Sequence, residues 1–114
     1  MYSQGDVLWI DLNPTKGNEE GKKRPCIVVS NNHYQDFFNT VIVIPISSSE
    51  KYRKEKRYTK SMFFVPIATK HFEGTALLQH LRTIDPHIRA QKSPIDHLDK
   101  ITMSKITNVV KHFW

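Results

Sequence analysis

Hydrophobic and polar positions alternate with a period of two near the start of the chain, in the segment GDVLWIDL of residues 5–12. Leu8, Ile10 and Leu12 share one face of this segment, which is the pattern of a β-strand. Pro45 has no N–H to donate to a neighbouring strand, so the strand that contains it should end or lose its pairing nearby. Apolar stretches predict four further strands, at residues 25–30, 40–46, 62–67 and 74–85.

The segments between the predicted strands are polar. Residues 14–23 combine proline, glycine and asparagine with five charged residues, so they cannot bury a face and predict a loop. Residues 47–61, SSSEKYRKEKRYTKS, predict a second loop, which is basic. Residues 31–39, NNHYQDFFN, are short for a helix and predict a turn or a single helical turn whose aromatic side chains cap the core. A further turn is expected at residues 70–74.

The end of the chain is predicted to be a helix packed on the sheet. Ser93 followed by Pro94 is a helix start signal. Six of the side chains that follow recur at helical spacing: Ile95, Leu98, Thr102, Ile106, Val109 and Phe113. Strands outnumber helices and no regular strand–helix alternation is visible, so the fold class is mostly β, a small barrel or a strongly twisted antiparallel sheet with a C-terminal α-helix. The length suits a single domain, residues 1–114.

The chain is basic, with 17 Lys and Arg against 11 Asp and Glu and a formal net charge of +6. This balance favours an anionic partner, which could be nucleic acid, an anionic membrane surface or an acidic protein. The sequence has no signal-peptide pattern and no apolar run near the roughly 20 residues that a bilayer span requires. We therefore expect a cytoplasmic protein that is neither exported nor embedded in a membrane.

Metal and disulfide chemistry have little support in the sequence. Cys26 is the single cysteine, so one chain can form neither a disulfide nor a cysteine-based zinc site. The six histidines are scattered, without HExxH or a paired metal-ligand spacing. We expect no metal site.

Arg24 is the first candidate for chemistry, because it stands where the predicted loop meets the strand and is followed by Pro25. A residue before proline is pushed toward extended backbone, which would hold the guanidinium in place. The planar guanidinium fork suits phosphate oxygens and stabilises charge that develops on a transferring phosphoryl group. The alternative interpretation is an ordinary ion pair with Glu19 or Glu20 at a strand edge.

Two other features could serve the same surface. Ser47 follows the apolar strand directly, where its hydroxyl should be lifted out of the core and could donate to a phosphate, although GxSxG spacing for a nucleophile is missing. The basic loop interleaves its cations with Tyr52 and Tyr58, a combination suited to RNA phosphates and stacked bases, or else to a solvated hairpin tip. His80 is noted because one face of HLRTID could reach the surface that carries Arg24.

In combination, the segments GDVLWIDLNPTKGNEEGKKRPCIVVSNN, VIVIPISS and LRTID resemble the MazF/PemK family of toxin endoribonucleases of type II toxin–antitoxin systems. The resemblance implies a homodimer of SH3-like or CcdB-like barrel subunits, each with a C-terminal helix. It also implies sequence-specific cleavage of single-stranded RNA without metal or cofactor, by attack of the 2'-hydroxyl to give 2',3'-cyclic phosphate and 5'-hydroxyl ends. The expected partner is an acidic MazE/PemI-like antitoxin whose disordered tail occupies the RNA groove.

The resemblance also assigns roles to residues. The family's active arginine falls on Arg24, its active threonine on Ser47, and an acidic residue implicated in some members on Glu19. The sequence departs from the family at Gln79 and His80, where the family often has a carboxylate followed by Gln, so proton transfer and base recognition there should differ. An arginine stays protonated, so Glu19 or His80 is better suited to accept the 2'-hydroxyl proton. Contacts to RNA are expected from Lys16, Lys22, Lys23, Ser48, Lys51, Arg53, Lys54, Lys56, Arg57 and Gln79.

Two other functions fit the same predicted fold. One is a binding module without catalysis, such as a CcdB-type toxin directed at DNA gyrase, because a fold does not fix an activity. The other is a degenerate toxin that keeps dimerisation and antitoxin binding but has lost turnover. The arginine–proline pair and the hydroxyl after Pro45 favour the nuclease.

Overall fold

A computed structural model of the chain describes residues 2–13, 17, 22–91 and 93–113. Within these residues, the strands are β1 (Asp6–Asp11), β2 (Lys23–Val28), β3 (Val41–Ser47), β4 (Phe64–Ala68), β5 (Glu73–Leu77), β6 (Arg82–Ile84) and β7 (Asp96–His97). The helices are α1 (Asn32–Phe37), α2 (Lys51–Lys54), α3 (Lys56–Thr59), α4 (Pro86–Arg89) and α5 (Lys100–Val110), with a 3₁₀ turn at Leu78–His80.

The strands form one curled antiparallel sheet in the order β4-β5-β3-β2-β1-β7, with β6 paired to β3. The central strand β3 changes partner along its length. Residues Val41 to Val43 pair with β6, whereas Ile46 and Ser47 pair with β5, so these two strands follow one another along the same edge of β3. This arrangement confirms the prediction of a mostly β, strongly curled antiparallel sheet with a C-terminal helix.

Both faces of the sheet are buried, which follows from the alternation along each strand. One face carries a cluster that α5 covers with Met103 and Ile106, and its strand residues include Val7, Ile27 and Ile44. The opposite face carries a second cluster. Its members are Leu8, Ile10, Leu12, Cys26, Val28, Val41, Val43 and Ile84. The shared face predicted for Leu8, Ile10 and Leu12 is therefore confirmed.

The predicted start of the C-terminal helix at Ser93 and Pro94 is wrong. The Ile95 N–H donates to Val7 O at 2.8 Å and the Leu98 N–H donates to Gly5 O at 2.9 Å, so this segment runs beside β1 and contributes β7. The helix begins instead after Asp99, whose side chain accepts from the Thr102 N–H at 2.7 Å. Pairing with β1 outweighs the local start signal.

Other boundaries also differ from the predictions. The second strand begins at Lys23 rather than at residue 25, and pairing with β2 ends at Pro45 although β3 itself continues to Ser47. The predicted strand at residues 74–85 is divided by the 3₁₀ turn, and the predicted turn near residues 70–74 lies between β4 and β5. The short helix α4 had not been predicted.

The segment at residues 47–61 is not a simple loop, because it contains α2 and α3. The Tyr52 ring packs 4.8 Å from the Tyr58 ring and 5.4 Å from the Phe64 ring, measured between centroids. These contacts between aromatic rings hold the two four-residue helices together, since such short helices are not stable by themselves.

The segment at residues 31–39 forms α1, whose N-terminus is capped by Asn31. The prediction that its aromatic residues cap the core is wrong for two of the three. Phe37 and Phe38 are 72% and 56% exposed, whereas Tyr34 is half-buried. Across the described ranges, no helix has both the length and the hydropathy that a bilayer span needs.

Candidate functional site

A basic groove of about 400 Å³ opens where β1 and β2 meet the end of β3. Three cationic side chains and one carboxylate line it, together with aromatic and apolar side chains. The lining residues are Trp9, Lys22, Lys23, Arg24, Pro25, Ile46, Ser48, Phe72 and Glu73. The excess of positive charge suits a phosphate backbone. A larger hollow of about 720 Å³ beside α1 and α4 is lined by none of the predicted site residues.

Arg24 is the second residue of β2 and lies directly opposite Ile10 of β1. The sequence placed it at the mouth of the strand, but the structure places it within the strand, where pairing fixes its backbone. Its side chain is half-buried. Pro25 lies opposite Trp9, and both residues line the basic groove.

Ser47 is the last residue of β3 and is only 4% exposed. The prediction that its hydroxyl is lifted out of the core is therefore wrong, whereas Ser48 and Ser49 are exposed. The Ser47 Oγ accepts a hydrogen bond from the Ser49 N–H at 3.2 Å. A hydroxyl has two lone pairs and one proton, so Ser47 retains a donor.

Arg24 and Ser47 lie on neighbouring strands, each two residues beyond the end of the β2–β3 pairing. That pairing ends where Cys26 lies opposite Pro45, so Arg24 and Ser47 are not themselves paired. Directly opposed residues have Cβ atoms about 4.5–5.5 Å apart and share one face. Thr75 of β5 lies opposite Ser47 on the other side. Three neighbouring strands thus carry a guanidinium and two hydroxyls, of which the two hydroxyl-bearing residues are directly paired.

Hydrogen bonds join the two ends of the segment between β1 and β2, and this junction is called the base of the segment. The Leu12 N–H donates to Lys22 O at 2.9 Å, and the Lys22 N–H donates to Asn13 Oδ1 at 3.2 Å. Lys22 has a positive φ of 69°, which turns the chain into β2. This closure places Lys22 beside Arg24 at the edge of the basic groove.

Two arginines that had no predicted role bind backbone carbonyls at the start of the same segment. Arg82 of the LRTID segment donates to Leu12 O at 3.2 Å, and Arg89 of α4 donates to Asp11 O at 3.1 Å and Asn13 O at 2.6 Å. The sequence gives no signal for these contacts, because the acceptors are backbone carbonyls. Arg82, the arginine of LRTID, therefore has a structural role in holding the start of this segment.

Several predicted site residues are not brought to the basic groove. Glu19 and Lys16 lie outside the described residues. Gln79 is exposed and His80 is half-buried in the 3₁₀ turn after β5, while Ser47 is buried at the end of β3, and none of these three residues lines the groove.

The predicted cations of α2 and α3 are partly engaged with carboxylates. Arg53 contacts Glu73 at 3.1 Å, while Lys54 and Arg57 pair with neighbouring glutamates at 2.9 and 3.3 Å. Exposed pairs of this kind contribute little stability and can exchange a carboxylate for a phosphate. Lys51 and Lys56 are exposed, and Lys51 lies over the Tyr52 ring. Because the tyrosine rings pack on one another, their faces are only partly available to bases.

The turn that carries Phe72 to the basic groove is held by Asp96. Its carboxylate accepts from the His71 N–H at 3.1 Å and contacts the His71 ring at 3.2 Å. A hydrogen bond from the Thr69 side chain, followed by bonds from His97 and His71, holds the pKa of Asp96 below its usual range against the opposing effect of burial. In the part of the chain that the structure describes, no three Cys, His, Asp or Glu side chains cluster as metal ligands would.

Residues 3–114 match the family described as PemK-like, MazF-like toxins of type II toxin–antitoxin systems. The chain belongs to this family. It is 33% identical over 115 residues to the Endoribonuclease EndoA of Bacillus subtilis (strain 168), and the match covers 97% of this chain and 92% of that protein. The resemblance drawn from the three sequence segments is confirmed.

Solved structures of low sequence identity show the same fold. The crystal structure of MazF from Deinococcus radiodurans matches 96% of this PemK/MazF-family chain and 92% of its own, with a TM-score of 0.76 and 18% identity. A mycobacterial endoribonuclease in complex with its cognate antitoxin matches 96% and 91%, with a TM-score of 0.72 and 15% identity. MazF in a MazE–MazF complex from Deinococcus radiodurans matches 96% and 92%, with a TM-score of 0.70 and 21% identity.

Proposed function

We propose that this chain is an endoribonuclease toxin that cuts single-stranded RNA at short sequence motifs, without metal or cofactor. The observation that carries the proposal is the place of Arg24 in the lining of the basic groove, with Ser47 on the neighbouring strand between the lining residues Ile46 and Ser48. Family membership and the 33% identity to an endoribonuclease support it.

The proposed reaction is a transesterification followed by release of the 5' end. The ribose 2'-oxygen attacks the adjacent phosphorus and loses its proton to a base, while the bond to the 5'-oxygen breaks and that oxygen gains a proton. The products are a 2',3'-cyclic phosphate and a 5'-hydroxyl. Arg24 neutralises charge on the phosphorane, and the Ser47 hydroxyl donates to a nonbridging oxygen. Each such donor contributes about 3 kcal/mol where it is aimed at developing charge.

Glu19 and His80 are the two candidates for the base. His80 does not line the basic groove, so Glu19 is tested first with Glu19→Gln, and His80→Ala is the parallel variant. A base removed by substitution should eliminate the rise in rate with pH that its titration produces. His80→Ala with an unchanged pH profile would remove His80 from the mechanism.

The proposed biological form is a homodimer of this single domain, acting in the cytoplasm and inhibited by an acidic antitoxin. The net charge of +6 and the basic groove support an acidic partner that competes with RNA. Known structures of similar fold include complexes of MazF with MazE and of an endoribonuclease with its antitoxin.

The deciding experiment incubates the purified protein with a long, weakly structured RNA in EDTA and maps the 5' ends. Wild type should give discrete cuts with 5'-hydroxyls, and Arg24→Ala should abolish them. Lys105→Ala, which removes one exposed cation from α5, is the matched control and should cut like wild type. Intact RNA from the folded wild-type protein would refute the nuclease and favour a binding module without catalysis, or a CcdB-like toxin directed at gyrase.

A further inference from the structure

Thr75 carries a hydroxyl that the fold does not explain. Within the described ranges, its Oγ1 is the buried side-chain oxygen or nitrogen that has no hydrogen-bond partner, and the residue is 1% exposed. Burying an unpaired hydroxyl is unfavourable, whereas valine would fill nearly the same volume without that penalty. A buried polar group of this kind calls for an explanation, of which a catalytic role is one.

The place of Thr75 in the sheet suggests its partner. It lies directly opposite Ser47 across the β3–β5 pair, so the two side chains share one face. The strands approach closely here, because a Cβ added at the neighbouring Gly74 would lie 2.6 Å from Ser47 O. Directly opposed residues have Cβ atoms about 4.5–5.5 Å apart, a separation that a hydrogen bond between two side-chain hydroxyls can span.

Ser47 itself can form two further hydrogen bonds, one through its proton and one through its second lone pair. Its Oγ accepts from the Ser49 N–H, which uses one of its two lone pairs. A serine lacks the second Cβ substituent that restricts χ1 in threonine, so its hydroxyl samples more orientations. An additional donor at the second lone pair would fix the orientation from which Ser47 donates its own proton.

We propose that Thr75 is a positioning residue for the reaction, whose hydroxyl donates to Ser47 Oγ when a phosphate engages the Ser47 proton. This inference rests on the proposed nuclease function. Thr75 does not contact RNA in this scheme, since it is buried behind Ser47. It acts by aiming the hydroxyl that binds the nonbridging oxygen.

The kinetic test compares Thr75→Val with Thr75→Ser. Thr75→Val should lower kcat about tenfold, the effect of one hydrogen bond made in the transition state, with little change in KM and with a melting temperature equal to or above that of wild type. Thr75→Ser keeps the hydroxyl and should restore most of the rate. In a Ser47→Ala background, Thr75→Val should have almost no further effect. A wild-type rate for Thr75→Val, or an equal loss in both backgrounds, would overturn the inference.

A spectroscopic test separates this inference from the nuclease itself. With an uncleavable 2'-O-methyl oligonucleotide bound, Thr75→Val should shift the amide resonance of Ser49, whose N–H donates to Ser47 Oγ, and should not do so in the Ser47→Ala background. If wild type binds but never cuts RNA, the proposed function fails while this shift still supports the coupling of Thr75 to Ser47. Absence of the shift, or of binding, overturns the inference.

Discussion

Gly74 provides a sharp test of how closely the strands must approach at the proposed site. It is buried in β5, and a Cβ added to it would lie 2.6 Å from Ser47 O and 2.7 Å from Ile46 Cγ2. Real Cβ atoms do not approach other atoms so closely, and Ser47 O belongs to the backbone of β3. Gly74→Ala therefore has to displace β5 from β3 at the residue proposed to bind the phosphate.

The expected cost follows from the clash. Forcing one extra methyl group into a packed interior costs about 1–3 kcal/mol, and a contact with backbone places Gly74→Ala near the upper part of that range. For a domain of this size, a loss of about 2.5 kcal/mol lowers the melting temperature by roughly 10 °C. RNA cleavage should fall further than the loss of folded protein explains, because the strand that carries Ser47 moves.

The assay is thermal and urea unfolding followed by circular dichroism, with cleavage measured well below the melting temperature. Gly17→Ala is the control, because nothing lies within 4 Å of a Cβ added there and its φ of +59° adds only the cost of left-handed backbone, about 1 kcal/mol. An equal or smaller loss of stability in Gly74→Ala than in Gly17→Ala would refute the steric reasoning. Unchanged cleavage would show that Ser47 tolerates displacement of β5.

Three further predictions concern the cap of α5, the base of the β1–β2 segment and the basic groove. Hydrogen bonds from Thr102 hold the pKa of Asp99 below its ordinary value, so the stabilising effect of the Asp99 carboxylate is complete above about pH 4 and is lost as the pH falls. Asp99→Asn should therefore reduce the fall in melting temperature at acid pH, and an equally steep fall in the variant would contradict this. Arg89→Ala frees two backbone carbonyls, so proteolysis at residues 14–21 should accelerate relative to Lys105→Ala, and equal rates would count against the anchoring role. Lys23→Ala should reduce the salt dependence of RNA affinity by about one counterion, whereas an unchanged slope would place Lys23 away from phosphate.

Much of the fold could be predicted because alternation along strands directly reports burial on the two faces of a sheet. The strand around Ile10 and the apolar strand that ends at Ser47 were found in this way. The start of the C-terminal helix could not be found, because Ile95 and Leu98 bond to a strand some 90 positions earlier in the sequence. The helices α2 and α3 were missed for a similar reason, since Phe64 of the following strand holds them through its ring contacts with both tyrosines.

The candidate site was predictable in part. Arg24 and Ser47 were proposed from their chemistry and from family resemblance, but their place on neighbouring strands depends on the pairing of β2 with β3, which the sequence does not state. Thr75 gave no signal, because threonine is common in strands and only the structure reveals that its hydroxyl is unpaired. The role of Arg89 could not be predicted either, because its acceptors are backbone carbonyls, which every residue carries.

The phosphate donors of the proposed site and the segment between β1 and β2 are held in different ways. On three adjacent strands, Arg24 is paired with Ile10 of β1 and Ser47 is paired with Thr75 of β5, which limits the movement of these residues. The segment between β1 and β2 is attached to this sheet at its base through Arg82 and Arg89. Glu19, the candidate base that is tested first, belongs to that segment, so substitutions at the other residues of 14–21 should leave the rate of the chemical step unchanged. The proposal predicts that this rate follows Glu19, Arg24, Ser47 and Thr75.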